Sequence, residues 1–248
     1  MPVSLDYDDT DLGAMTWEDA ESALPEAAFV VLPTGSVEQH SLHLPVSVDT
    51  LRAENLSREL VELAADRGVS MVRLPTLPYG YSEHHINYAG TVTLSAETYT
   101  RAVVDIGRSL AEHGARRLAF LNCHGGNREP LKLAADRIQR DHGLQTHFVH
   151  WTEFAREQLE ERFGEGWGHA GDHETSVIEL FHPDLVVEER KEPQTRRAEY
   201  ETRQYAYLEE LTEQGGLGDP TASDPEFMAE VVEATTERIL EGLLADRE

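Results

Sequence analysis

Between Val37 and Thr50 the sequence VEQHSLHLPVSVDT carries two carboxylates, Glu38 and Asp49, and two imidazoles, His40 and His43. Carboxylates and neutral imidazoles together are ligands for Zn²⁺, Mn²⁺ or Fe²⁺, and a carboxylate can bridge two such ions. Glu38 and His40 are separated by one residue, so in an extended segment their side chains point the same way, as two ligands of one centre would. Pro45 suggests a loop that folds Asp49 back towards them. A plainer reading stays open, in which Glu38 and Asp49 are solvated acids of a very acidic surface.

Two more segments concentrate reactive side chains. In LNCHGGNREP, His124 is followed by Gly125 and Gly126, which let the backbone approach a ligand before a helix begins near Asn127. The alternatives are a turn with an incidental histidine, or the oxyanion loop of an α/β-hydrolase; the absence of G-x-S-x-G from the chain argues against the latter. Cys123 reads as a small buried apolar residue rather than a thiolate ligand. In GWGHAGDHETSVIELF, His169, Asp172, His173 and Glu174 stand at the start of an apolar helix, where the acids could equally complement the helix N-terminus. Gly166, Gly168 and Gly171 spell G-x-G-x-x-G, but they follow the charged stretch EFAREQLEERFGEG where a dinucleotide fingerprint requires a strand.

Short apolar runs at 27–33, 70–77, 116–122 and 145–151 read as buried strands, and helical patterns at 49–68, 95–114 and 128–143 lie between them. Strand alternating with helix predicts an α/β fold: a three-layer sandwich with a mostly parallel central sheet, in which ligands collect beyond the carboxyl ends of the strands. Residues 187–224 are polar and broken by Gly and Pro, and read as a helix followed by an excursion loop. The segment after Asp224 is an amphipathic helix carrying Phe227, Val231, Ile239, Leu240, Leu243 and Leu244. No linker is evident, so residues 1–248 are expected to form a single domain.

The 248 residues include 47 acidic against 21 basic ones, a formal charge of −26, which disfavours nucleic acid and anionic membranes as partners. Lysine occurs only at positions 132 and 191, and an acidic, lysine-poor surface suits a salt-rich cytoplasm. The single cysteine, the acidic N-terminus and the lack of an apolar run near the roughly 20 residues a bilayer requires point to a cytoplasmic protein.

The three ligand-bearing segments together resemble the creatininase (creatinine amidohydrolase) family. GSVEQHSLHLPVSVD is similar to its G-S-x-E-Q-H-G-P-H-L-P-x-x-T-D, LNCHGGN to its N-G-H-G-G-N, and HAGDHETS to its H-A-G-x-x-E-T-S. LPYGYSEHHINYAGTVTL (77–94) and GLGDPTASD (216–224) also match in order, so the resemblance spans nearly the whole chain. It implies a creatininase-like fold and a metal-dependent amidohydrolase that cleaves a small non-peptide C–N bond (amide, cyclic amide or formamide) by metal-activated water. In a two-ion centre, Glu38 and His40 would bind different ions, Asp49 would bridge them and His124 would complete one site. The family Glu that binds the second ion is replaced by Gly126, which would open space for a bulkier substrate, and Glu174 is the candidate replacement. His169 would act as proton relay although its family acidic neighbour is Gly168 here, with Glu174 beside it as a second catalytic residue. His43, His85, Gly125, Gly126, Asn127, Trp151 and Trp167 would face substrate, the tryptophans having the alternative of core aromatics. Family members with the HGGN motif also include a formamidopyrimidine-nucleotide deformylase of archaeal flavin and deazaflavin biosynthesis and a cofactor-precursor peptidase. The resemblance further implies a homo-oligomer, with a hexamer as the family form. A non-catalytic metal-binding assembly subunit is the contrasting class.

Overall fold

In the computed structural model, residues 9–196 and 205–246 are described. Their sheet has four parallel strands, β1 (Phe29–Thr34), β2 (Met71–Arg73), β3 (Arg117–Asn122) and β4 (Gln145–His150), in the order β2-β1-β3-β4. Register places Thr34, Asn122 and His150 side by side at the carboxyl edge. The segments that carry candidate ligands therefore leave the sheet at one level. β2 is shorter than the apolar run that predicted it, because Pro75 has no N–H to continue the ladder.

The expected helices are present as α2 (Val48–Asp66), α3 (Ala96–Glu112) and α4 (Arg128–His142). Ser95 caps α3 by accepting from the Thr98 N–H, and Gly143 ends α4 in the left-handed conformation at φ 69°. α1 (Trp17–Glu26) is an addition to the expected elements, started by a Thr16/Asp19 capping box. α5 (Trp151–Phe163) runs on directly from β4, α6 (Asp172–Phe181) carries the apolar SVIELF stretch, α7 (Leu208–Leu211) is one turn, and α8 (Pro225–Ala245) closes the chain with Asp224 as its cap.

Alternation along the strands divides the core in two. Phe29, Val31, Ala119, Leu121 and Val149 pack against α2, α5, α6 and α8; Val30, Leu32, Val72, Leu118 and Phe120 pack against α1, α3 and α4. This is the three-layer α/β arrangement. One expectation fails: the helix read from residue 187 is a single 3-10 turn (Glu188–Arg190), after which Pro193 and the Gln194–Gly218 bridge hold the chain extended, and positions 197–204 lie outside the described residues. Among the described residues no helix is long and apolar enough to cross a membrane.

Candidate metal centre

β1 hands the chain directly to the first ligands. Gly35 is required at the exit because a Cβ there would lie 2.6 Å from the Thr50 Cα, so only glycine lets the first turn of α2 close against the strand end. That contact returns Asp49 to Glu38 and His40, and the Ser36 hydroxyl donates to Asp49 Oδ2 at 2.8 Å. The Glu38 N–H donates to the Val46 carbonyl across the Pro45 loop, which folds back as the sequence suggested. At the end of β3, the Asn122 side chain donates to the His124 carbonyl at 2.7 Å and fixes that residue over the sheet edge. Glu174 arrives from the first turn of α6, where its Oε2 accepts the Ala170 N–H at 2.6 Å.

Ligand atoms of Glu38, Asp49 and His124 lie within 4.8 Å of one another, as do those of His40, Asp49 and Glu174, and of Glu38, His40 and His169. The donor set fits a cation. Glu38, His40, Asp49 and His124 are at most 3% exposed, yet Glu38 Oε2 and His40 Nε2 make no hydrogen bond. Buried polar atoms without partners are costly, and an ion between them removes that cost. The far nitrogens agree. His124 Nε2 meets the Tyr81 carbonyl at 2.9 Å and His40 Nδ1 meets the Glu38 carbonyl at 3.1 Å. A carbonyl can only accept, so each of these nitrogens carries the hydrogen, and in the neutral ring that a metal would require the other nitrogen presents its lone pair to the cluster.

Electrostatics point the same way. Burial works against charge on Glu38, but His124 and His85 overcome it and hold the carboxyl below the usual range; for Asp49 burial is likewise overcome, chiefly by Arg52. Burial is also overridden at the imidazoles, where the carboxylates raise His124 well above its ordinary value and His40 to about 9. The carboxylates thus draw positive charge onto these two rings, the charge a metal ion would otherwise supply.

A cavity of about 260 Å³ opens on this cluster, walled by His85, Gly125, Gly126, Trp167, His169 and Leu208. His169 donates from Nε2 to the Gln39 carbonyl at 2.8 Å, which turns Nδ1 towards Glu38 Oε1 at 3.6 Å and Glu174 Oε2 at 3.9 Å. His85 accepts from the Gln39 amide at Nδ1 and sets Nε2 3.5 Å from Glu38 Oε1. His84, unremarked in the sequence although adjacent in EHH, also groups with Glu38 and stacks on His124 at 5.9 Å.

Several expected substrate contacts are placed elsewhere. His43 is buried, does not line the cavity, and bonds Thr175 Oγ1 at 2.8 Å. Asn127 is a clamp: its Oδ1 accepts the Tyr81 N–H and its Nδ2 donates to the Gly35 carbonyl, tying three loops together. Trp151 is fully buried in the core, so of the two tryptophans only Trp167 lines the cavity. Gly126 opens no space along its side-chain direction, since a Cβ there would lie 2.0 Å from the Tyr81 carbonyl oxygen and 2.5 Å from His124 Nε2. Cys123 is buried with its thiol pushed up to about 12, as an inert apolar residue would be. The glycines at 166, 168 and 171 follow a helix, and no dinucleotide-binding βα turn is formed.

Arg52 was also missed. It projects from α2 into the cluster, 3% exposed, with Nη2 2.5 Å from Asp49 Oδ1 and Nη1 2.7 Å from Glu174 Oε1. The available signal was a charged residue one turn beyond Asp49, on the same apolar stripe as Ala53, Leu56 and Leu60.

A parallel α/β sandwich with carboxylates and imidazoles gathered at the strand ends gives a site whose donor set fits a cation. Residues 13–243 match the Creatininase family model, described as creatinine amidohydrolase, and the chain belongs to this family of enzymes acting on C–N bonds. It is 32% identical over 221 residues to the mycofactocin precursor peptide peptidase of Mycobacterium tuberculosis (strain CDC 1551 / Oshkosh), covering 86% of this chain and 82% of that one. To the creatinine amidohydrolase of Pseudomonas putida it is 33% identical over 196 residues, 71% of this chain and 73% of the other. A solved mutant creatininase of zinc–zinc type shares the fold at a TM-score of 0.85 and 24% identity, covering 97% of this chain and 99% of that one.

Proposed function

We propose that this creatininase-family amidohydrolase depends on a divalent metal, held by Glu38, Asp49 and His124, and hydrolyses a small-molecule amide or formamide. The observation that carries the proposal is the convergence of Glu38 Oε2 and Asp49 Oδ2 on His124 Nδ1, at 3.3 and 3.0 Å, in a buried cluster lining the cavity. When bound, the ion supplies Lewis acidity for the carbonyl and lowers the pKa of water. The protein's own groups do the rest. His169 is locked by the Gln39 carbonyl with its Nδ1 towards the centre, and burial lowers its pKa, so the ring is neutral near pH 7. It can take a proton from water at Nδ1 and return it to the departing nitrogen. Trp167 and Leu208 wall the cavity and limit access of bulk water to the reacting atoms. A volume of about 260 Å³ favours a compact substrate over a long peptide. The relatives named above cleave different substrates, and the absence of a carboxylate at Gly126 and Gly168 separates this centre from the creatinine-specific pattern implied by the sequence.

The test is metal analysis joined to a panel of formamides, amides, short peptides and creatinine. Chelation should abolish hydrolysis and Zn²⁺ or Mn²⁺ should restore it, while Asp49→Ala should lose bound metal. Formamide or extended amide substrates should exceed creatinine at least about tenfold in kcat/KM, roughly 1.4 kcal/mol of transition-state discrimination. Full activity of metal-free protein, or metal retained by Asp49→Ala, would overturn the proposal.

A further inference from the structure

We propose that Arg52 is a resident cation that takes the charge of the second metal position, so that the centre holds one divalent ion, at Glu38, Asp49 and His124. This rests on the metal-centre reading above and refines its stoichiometry. A second ion would need His40, Asp49 and Glu174, whose ligand atoms do cluster. Their oxygens are already engaged. Asp49 Oδ1 and Glu174 Oε1 accept from Arg52 at 2.5 and 2.7 Å, and Glu174 Oε2 accepts the Ala170 N–H. A metal bonds a carboxylate oxygen at about 2.0–2.2 Å. Any ion at Asp49 Oδ1 would therefore crowd a guanidinium nitrogen that is itself 2.5 Å from that oxygen. What remains uncommitted at this position is His40 Nε2, 3.5 Å from Glu174 Oε2 and 3.7 Å from Asp49 Oδ1.

The guanidinium is built in rather than passing through. It bridges the two carboxylates, donates to the Cys123 carbonyl, and lies over the Trp151 ring at 5.2 Å. Trp151 in the core thus has a function at the centre, as the platform beneath this cation. Charge balance gives the same count. Glu38, Asp49 and Glu174 are three buried carboxylates; Arg52 neutralises one, and the remaining two match a single divalent ion with neutral imidazoles. Two divalent ions beside Arg52 would leave net positive charge in a buried space, and buried charge without a partner is strongly disfavoured. Arg52 acts here as a positioning residue. It holds Asp49 for the first ion and Glu174 away from it.

The experiment counts metal. The full-length protein is stripped with chelator, saturated with Mn²⁺ or Zn²⁺, desalted and analysed by mass spectrometry, with electron paramagnetic resonance on the Mn²⁺ form. Wild type should hold one equivalent per chain with the spectrum of an isolated ion. Arg52→Met keeps the length and removes the charge, and should hold two equivalents with an exchange-coupled spectrum. Glu174→Gln should still hold one equivalent at saturating metal, because Glu174 partners Arg52 and not the ion; this variant decides the matter if Arg52→Met fails to fold. Two equivalents in wild type, one in folded Arg52→Met, or loss of the ion from Glu174→Gln would each overturn the inference. No metal in wild type would instead overturn the metal-centre reading itself.

Discussion

Gly126→Ala isolates the difference between what the family resemblance implies and what the loop allows. If the absent side chain had merely left room beside the metal, an added methyl would be harmless and Gly126→Glu would supply a ligand. In the structure the Cβ would stand 2.0 Å from the Tyr81 carbonyl oxygen and 2.5 Å from His124 Nε2, inside the hydrogen bond that orients His124. Relief requires the 124–127 turn or the Tyr81 segment to move, and Asn127 clamps both to Gly35. Overpacking costs about 1–3 kcal/mol and the lost hydrogen bond about 1 kcal/mol more, so a destabilisation of about 3 kcal/mol follows. For a chain of this size that is a fall in Tm of roughly 6–12 °C. Because the displaced bond is the one that backs the imidazole proposed to bind metal, metal affinity should also fall, by about 10–100-fold. Calorimetric unfolding of the metal-free protein and a metal titration measure the two effects separately. Gly126→Ala that melts within about 2 °C of wild type and binds metal equally, or Gly126→Glu that gains a second ion, would refute the reasoning.

Acid should destabilise the metal-free protein through its buried neutral histidines. Burial lowers His150 to about 3 and His173 to about 4, so between those values and the ordinary 6.5 the unfolded chain binds more protons, and stability falls as pH drops through that window by up to about 1.4 kcal/mol per unit per histidine. A urea midpoint unchanged from pH 6.5 to 4.5 would contradict this. The formal charge of −26 predicts the opposite slope with salt. Raising ionic strength from about 0.1 M to about 1 M shortens the Debye length from about 10 Å to about 3 Å and should raise the unfolding midpoint; a midpoint that falls or stays level would show that self-repulsion is not limiting.

The sheet was legible because each strand is a short apolar run bounded by polar or helical sequence, and the three crossover helices each run into a left-handed glycine, Gly68, Gly114 or Gly143. The clustering of the candidate ligands was legible because Glu38, His40 and His124 follow strands within a few residues, so local order alone puts them at one edge. Distance in sequence hid the rest. Arg52 is visible as a charge on an apolar stripe, but its second partner, Glu174, comes from a helix 122 positions away, and nothing local announces that the two meet. Trp151 and Trp167 are the same residue type close together in the chain. Trp151 opens α5 facing the core, whereas Trp167 follows the turn at Gly164 and reaches the cavity, a difference set by where one helix ends. At Gly126 the sequence shows that a side chain is missing and not which way it would have pointed.

The HAGDHETS and GLGDPTASD motifs illustrate how such distant parts act together. They stand far apart in the chain, and each alone suggests only a turn before a helix. In the fold the Leu217 N–H donates to the His169 carbonyl at 2.7 Å, and Gly218 pairs with Gln194 through reciprocal backbone hydrogen bonds. Gln39 completes the link. Its amide donates to the Gly215 carbonyl and to His85 Nδ1, while its own backbone carbonyl holds His169 Nε2. His169 is thus gripped on the main chain by the late segment and on the ring by the residue between Glu38 and His40. The relay role proposed for His169 requires one nitrogen to stay on the reacting atoms, and these contacts stop the ring from turning without themselves adding a charged partner that would raise its pKa. In the proposed reading, neutral backbone and amide groups orient His169 where the family's acidic neighbour is absent at Gly168, and burial, the largest influence on the ring, lowers its pKa.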